Sequence, residues 1–274
     1  MDRRETPANG RVAHSSLRGM VQADRFTDGE MARVTAPLAE VLAAPGRARD
    51  RQALMGARVL VLERRDGWAF VQRQQDGYVG YMAEVDLGPD ATPTHRVAAP
   101  ATHLYPAANL KLREVALLSL GALLTIVGET GPWAETDGGL FVPAQHLRAV
   151  DDYDSDPVAV AAELLGTPYL WGGNSRSGID CSGLVQAACH ACGIACPGDT
   201  DLQRARLGRV LADGEPLRRG DLVFWKGHVA LMADAGTILH ANANAMAVSL
   251  EPYDAAVARI LAAGEGPVLA RKRL

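Results

Sequence analysis

Hydrophobic and polar residues alternate in short runs through the first half of the chain, then shift to helical spacings in the second. Val34-Thr-Ala-Pro-Leu38 opens one stretch of alternation and Val97-Ala-Ala-Pro-Ala101 opens another. Each runs into a glycine-bounded, β-rich segment, Gly56 to Glu63 and Gly121 to Glu129. Each then meets a tryptophan after a turn, Gly67-Trp68 and Pro132-Trp133, and closes on a short strand, Tyr78 to Leu87 and Leu140 to Leu147. Short strands with turn signals at this spacing predict a small β-barrel or sandwich, and the self-similarity predicts two copies of about sixty residues each. Residues 1–30 match neither copy. Their short amphipathic stretch near Leu17 to Phe26 predicts an ordered arm packed on the rest.

After Val150 the pattern changes. Asp151, Asp152, Asp154 and Asp156 form an acidic linker, and Pro157 starts a helix through Leu165 that Gly166 stops. A second helix is expected from Cys181 to about Cys192. Strands follow at Leu222 to Trp225, His228 to Ala233, Thr237 to Ala241 and Ala247 to Leu250, with Asp234-Ala-Gly236 as a hairpin turn. A helix near Asp254 to Ala263 and a strand at Pro267 to Lys272 end the pattern, an α+β arrangement. The expected organisation is an arm (1–30), two all-β domains (31–90 and 91–150) and an α+β domain (151–274).

Composition narrows what such a chain does. With 274 residues, nearly half of them apolar, it can build several cores. A net charge of -4 and the lack of a lysine-arginine stripe argue against a nucleic-acid partner. No apolar run is long enough to cross a bilayer and no signal-like stretch stands near residue 1, so no membrane partner and a cytoplasmic location are expected. The four cysteines, Cys181, Cys189, Cys192 and Cys196, cluster within sixteen residues, unlike a disulfide framework that staples distant loops. The last three have ligand-like intervals, which raises zinc. They lie on or just after one helix, however, and no second ligand pair follows at a fitting distance. No metal and no cofactor are expected.

Cys181 is the strongest chemical candidate. It follows Asp180 and precedes Ser182-Gly183, where the polar loop Trp171 to Gly178 turns into an apolar-periodic helix. A thiol in a first helical turn feels the positive end of the dipole and the unpaired N–H groups, which favour the nucleophilic thiolate and can hold an oxyanion. A base is still required. Of seven histidines, His228 begins one expected strand and His240 ends the next. In an antiparallel hairpin those two ends are neighbours. A lone strand-end histidine is usually structural, but two at paired ends beside a helix-start cysteine form a nucleophile, a base and an orienting group.

The residues that carry this constellation also resemble a family. Pro168-Tyr-Leu-Trp-Gly-Gly173, Asp180-Cys-Ser-Gly183, Gly220-Asp-Leu-Val-Phe-Trp225, Gly227-His-Val-Ala230 and Leu239-His-Ala241 together resemble the NlpC/P60 cysteine peptidases, over roughly residues 157 to 250. The resemblance implies a papain-like α+β fold that cleaves cell-wall peptides. Cys181 would be the nucleophile, His228 the base and His240 the orienting residue, with Tyr169 beside the thiolate and Trp171 packing the glycine turn. Relatives often carry Pro-Arg after the nucleophile helix, whereas Pro197-Gly-Asp-Thr-Asp-Leu-Gln203 stands here. The two β-repeats likewise resemble bacterial SH3-like domains.

That domain order is similar to the γ-D-glutamyl-L-diamino acid endopeptidases. By that resemblance Asp180 and Ser182 bind the free amine of an N-terminal L-alanine, and a tyrosine late in the first SH3-like domain closes the pocket. Tyr81 is the choice and Tyr78 the rival, since Phe141 stands where Tyr81 does in the other repeat. Asp180 could instead act only as an N-cap, and Ser182 only as a first-turn residue. The implied substrate is an L-Ala-γ-D-Glu-diamino acid peptide, cut at the γ-D-Glu bond during wall-peptide recycling. Two other functions compete: a papain-like amidase or acyltransferase on intact peptidoglycan, and a non-catalytic wall-binding adaptor.

Overall fold

The computed structural model describes residues 1–274 and divides into two compact units, Met1–Val150 and Asp151–Leu274. In the first, seven antiparallel strands form one sheet in the order 49–54, 38–42, 79–83, 68–73, 58–65, 30–34 and 87–89. Their inward residues, among them Val34, Val41, Val59, Val71 and Met82, make a single core. Alternation drives this closure, since every second side chain must leave water.

Residues 95–149 repeat the same pairing plan with shorter strands. The 95–97 strand pairs with 123–124 and 147–149, as 30–34 pairs with 58–65 and 87–89. Hairpin 101–104/116–119 corresponds to 38–42/49–54, and the three-stranded sheet 126–143 to that of 58–83. Even the single link Leu42↔Tyr81 has a counterpart in the bridge Tyr105↔Phe141. The segment has its own core around Val97, Leu104, Leu118, Leu124 and Val142. The two segments meet at Gly56, where a Cβ would stand 2.0 Å from the Leu123 carbonyl oxygen. Only glycine fits there.

The first thirty residues lie along the 30–90 segment. Val12 is buried with Leu62, Phe70 and Val79, and Arg3 bridges to Asp50 at 2.7 Å. The stretch near Leu17 to Phe26 forms a short 3₁₀ turn, Ser15–Leu17, and a strand, Arg25–Thr27, rather than one amphipathic element.

The second unit sets helices against a six-stranded antiparallel sheet ordered 209–210, 270–273, 221–225, 228–232, 237–242 and 247–252. Helix α1 (Pro157–Ala162) is capped by Asp156, and α2 (Cys181–Ala191) packs on the 228–232 and 237–242 strands. Helix α3 (Thr200–Arg206), which the hydrophobic pattern did not predict, sits in a polar run whose apolar anchor is Leu202. Helix α4 (Tyr253–Ala262) buries Ala256 and Ile260 against the sheet. Asp221 is fully buried and bound bidentately by Arg273, which ties the last strand to the sheet's middle.

Candidate active site

The site begins at the N-terminus of α2. Asp180 caps it, accepting from Gly183 N–H at 2.6 Å through Oδ1 and from Gly172 N–H at 3.0 Å through Oδ2. The Ser182 hydroxyl also donates to Oδ1, at 2.9 Å. The carboxylate thus satisfies an orphan helix donor and pins the glycine turn at once. Gly183 makes this approach possible, because a Cβ there would lie 2.4 Å from the Gly173 carbonyl oxygen. The Asp-Cys-Ser-Gly sequence is therefore a geometric unit: cap, thiol, second hydroxyl, clearance.

Cys181, 5% exposed, sits in the first turn of α2. Its Sγ is 3.7 Å from the Thr200 hydroxyl and 3.9 Å from the Gly227 carbonyl oxygen. Burial, and then the Asp180 charge, push the thiol up to about 11, against the opposing pull of the Val229 and Ser182 N–H groups and the Thr200 hydroxyl. This differs from the thiolate expected of a helix start. Burial disfavours the anion, and the capping carboxylate adds to it.

The thiol meets backbone on both sides of His228, at Gly227 and Val229. Leu231↔Leu239 and Met232↔Ile238 set the hairpin register. Continued to the strand ends, it makes His228 and His240 diagonal neighbours on one face. His228 Nε2 and His240 Nδ1 are 2.9 Å apart. Burial first, then the neighbouring His240, drives His228 down to about 3; burial likewise takes His240 to about 4, against the pull of Glu251. Both rings are neutral at pH 7. Trp225 lies 5.6 Å from the His228 ring, tilted by 37°, and limits how the imidazole can turn.

The polar run continues past the residues legible in the sequence. His240 is fully buried, and its Nε2 lies 3.1 Å from Glu251 Oε2, off the ring N–H axis. Glu251 in turn takes two hydrogen bonds from Arg259, at 2.9 and 2.7 Å. Chiefly those bonds hold its carboxyl below the usual range. Gln203 is another residue whose use is visible only in space. It is fully buried and donates to the carbonyls of Ser182 and Pro197, fastening α3 to the α2 start.

Tyr169 is half-buried, and its hydroxyl is pushed up by burial and then by the Cys181 and Asp180 charges. Trp171 does not pack the glycine turn as expected but is 70% exposed, because the turn is held from inside by Asp180 instead. In the first unit, Tyr81 is half-buried against Phe70 and accepts a hydrogen bond from Asn9 at 3.0 Å. Tyr78 is only 2% exposed, inside the core of its segment. The later cysteines are otherwise engaged: Cys189 is fully buried, Cys196 Sγ points at the Pro197 carbonyl at 3.5 Å, and His190 Nε2 meets the Cys196 carbonyl at 3.0 Å.

Comparison with known proteins fits this geometry. The model of the NlpC/P60 family matches residues 166–259, and that of the bacterial dipeptidyl-peptidase Sh3 domain matches 41–87. A γ-D-glutamyl-L-lysine dipeptidyl-peptidase of Bacillus cereus is 30% identical over 238 residues, which span 75% of this chain and 71% of that protein. The chain belongs to the NlpC/P60 family. As such it is a cysteine peptidase, a hydrolase with an SH3-like domain ahead of its papain-like domain. The γ-D-glutamyl-L-lysine dipeptidyl-peptidase of Bacillus subtilis is 32% identical over 69% of this chain and 71% of its own length. An NlpC/P60 family protein from Bacillus cereus shares the fold, with a TM-score of 0.73 at 20% identity over 89% of this chain and 99% of that one.

Proposed function

We propose that this NlpC/P60 peptidase hydrolyses the γ-D-Glu–diamino acid bond of wall peptides that carry a free N-terminal L-Ala. Cys181 is the nucleophile, His228 the base and His240 the residue that orients it. The observation that supports the reading is that the Cys181 thiol, on the helix start capped by Asp180, meets the backbone on both sides of His228, whose ring is paired with His240. The named activity of the two Bacillus relatives supports the bond chosen.

The chemistry follows from the protonation states. Cys181 rests as a thiol and His228 as a neutral imidazole. As Sγ attacks the γ-carbonyl carbon, its proton passes to His228, and the N–H groups at the α2 start face the developing oxyanion. The C–N bond breaks, the leaving amine takes the proton from His228, and a thioester remains. Water then attacks the thioester carbon as His228 takes its proton; the C–S bond breaks, His228 returns the proton to sulfur, and the γ-carboxylic acid of D-Glu is released.

Asp180 would receive the substrate ammonium. Three protein donors occupy it, and a carboxylate has about four acceptor sites, so one remains on Oδ2. Ser182 is bound to the same carboxylate and serves with it. Tyr169 lines the thiol side, and Tyr81 shares in amine recognition by resemblance to the endopeptidases. Residues 91–150 are read as a second SH3-like domain, on the strength of their strand pairing. Peptides with a free L-Ala amine arise once the link to muramic acid is cut, which supports a role in cytoplasmic recycling.

The deciding assay pairs L-Ala-γ-D-Glu-diaminopimelate or its L-lysine analogue with the N-acetylated form. The free-amine peptide should be cleaved at least 100-fold faster in kcat/KM, since acetylation leaves the Asp180 site facing a neutral amide. Equal rates would sink the amine pocket.

A further inference from the structure

We propose that Glu251 is a positioning residue that sets the tautomer of both active-site histidines and so leaves His228 able to accept the thiol proton. The inference deepens the peptidase reading and rests on it. Glu251 is the first group in the run whose hydrogen-bonding role is fixed. Arg259 donates to both of its oxygens, at 2.9 and 2.7 Å, so it stays ionised and can only accept. His240 Nε2 lies 3.1 Å from it, off the ring N–H axis, buried to 0% exposure and without another partner. A buried imidazole nitrogen beside a carboxylate must carry the hydrogen, because two lone pairs in contact would repel.

The consequence passes along the pair. With its hydrogen on Nε2, neutral His240 has an acceptor at Nδ1. His228 Nε2, 2.9 Å away, must then be the donor. That leaves Nδ1 of His228 as a lone pair, the only ring nitrogen free to take a proton. Once protonated, His228 keeps the same Nε2–H bond to His240, so no second proton has to move. The opposite arrangement, with hydrogens on Nδ1 of both rings, would satisfy the His228–His240 contact equally well. It would leave the base already blocked. Nothing within the two-histidine pair chooses between the two arrangements; Glu251 does, and Arg259 fixes its charge.

The test uses the full-length protein with ¹⁵N-labelled histidine. Ring-nitrogen shifts of the wild type at pH 7 should show Nε2–H for both His228 and His240. Nδ1–H at His228 in the wild type would overturn the proposal without any variant. In Glu251→Gln, Arg259 takes the amide oxygen, so the amide NH₂ turns toward His240 Nε2 and donates. Both rings should switch to Nδ1–H, and kcat should fall on the order of 10²-fold with KM within about twofold. Glu251→Asp, which keeps an acceptor, should recover the Nε2–H shifts and part of kcat. Unchanged tautomers and an unchanged kcat in Glu251→Gln would overturn the proposal. Because the shifts need no turnover, they remain readable if Cys181→Ala proves fully active, an outcome that would overturn the peptidase reading alone.

Discussion

Both units bury ionisable side chains, yet they put them to different ends. In the first, Arg51 is fully buried, and Arg73 and the almost sealed Asp76 stand 3.4 Å apart inside the 30–90 segment. Burial pulls the Arg73 guanidinium down from its ordinary range. In the second, His228, His240, Glu251 and Arg259 form a run, and the backbone next to His228, at Gly227, meets the Cys181 thiol. A shifted, buried group is therefore no mark of a site by itself. What separates the two is the thiol near one end of the run, where the proposed chemistry needs a proton acceptor at His228.

The contrast breaks most sharply at Cys181. Cys181→Ala should lower turnover by more than about 10³-fold with little change in melting temperature, measured with the free-amine tripeptide. Asp76→Ala should do the reverse. It leaves Arg73 buried without its partner and should cost about 3–5 kcal/mol in urea unfolding, while turnover per folded molecule holds. A large loss of turnover in the folded fraction would erase the distinction between the units.

Acid should sharpen the comparison further. The folded pKa values of His228 and His240, about 3 and 4, lie below the unfolded value of 6.5. Between those limits the unfolded chain binds more protons, so their share of stability is full above 6.5 and is lost as pH falls toward 3. Between pH 6.5 and 5, before carboxylates titrate, the melting temperature should fall. A His228→Gln, His240→Gln double variant should flatten that slope. A smaller effect is expected at Tyr81. If the resemblance to the endopeptidases extends to Tyr81, Tyr81→Phe should raise KM for the free-amine peptide several-fold and leave kcat nearly unchanged, because one recognising hydroxyl is lost. The matching Phe141→Tyr change in the other segment should alter neither.

Much of the second unit was legible because its signals are local. The Asp180 cap and the alternation around His228 and His240 each act within a few residues. Helix α2 and four sheet strands accordingly fall where the pattern puts them, within a residue or two. Helix α3 was not legible, since its stability comes from Gln203 reaching carbonyls on another element. Glu251 was missed for a related reason. Its strand was expected to end at Leu250, and its approach to His240 depends on the 237–252 hairpin register, which places Ser249 opposite His240. The resting state of Cys181 was misjudged because helix position can be read from a sequence, whereas dehydration depends on everything that packs around the thiol. The repeat in the first unit could be read from its turns, but its unequal strand lengths follow from packing.

The dehydrated setting of Cys181 also bears on how long the protein survives oxidants. With a thiol held near 11, roughly one molecule in ten thousand carries the reactive anion at pH 7. Peroxide and alkylating reagents attack that anion, and the sulfur is only 5% exposed to them. Cys192, half-buried at the far end of the same helix, is the more accessible target. Mass spectrometry of a mildly oxidised sample should find Cys192 modified first, with activity largely intact. Storage and redox stress would then mark the back of the helix long before they silence its front.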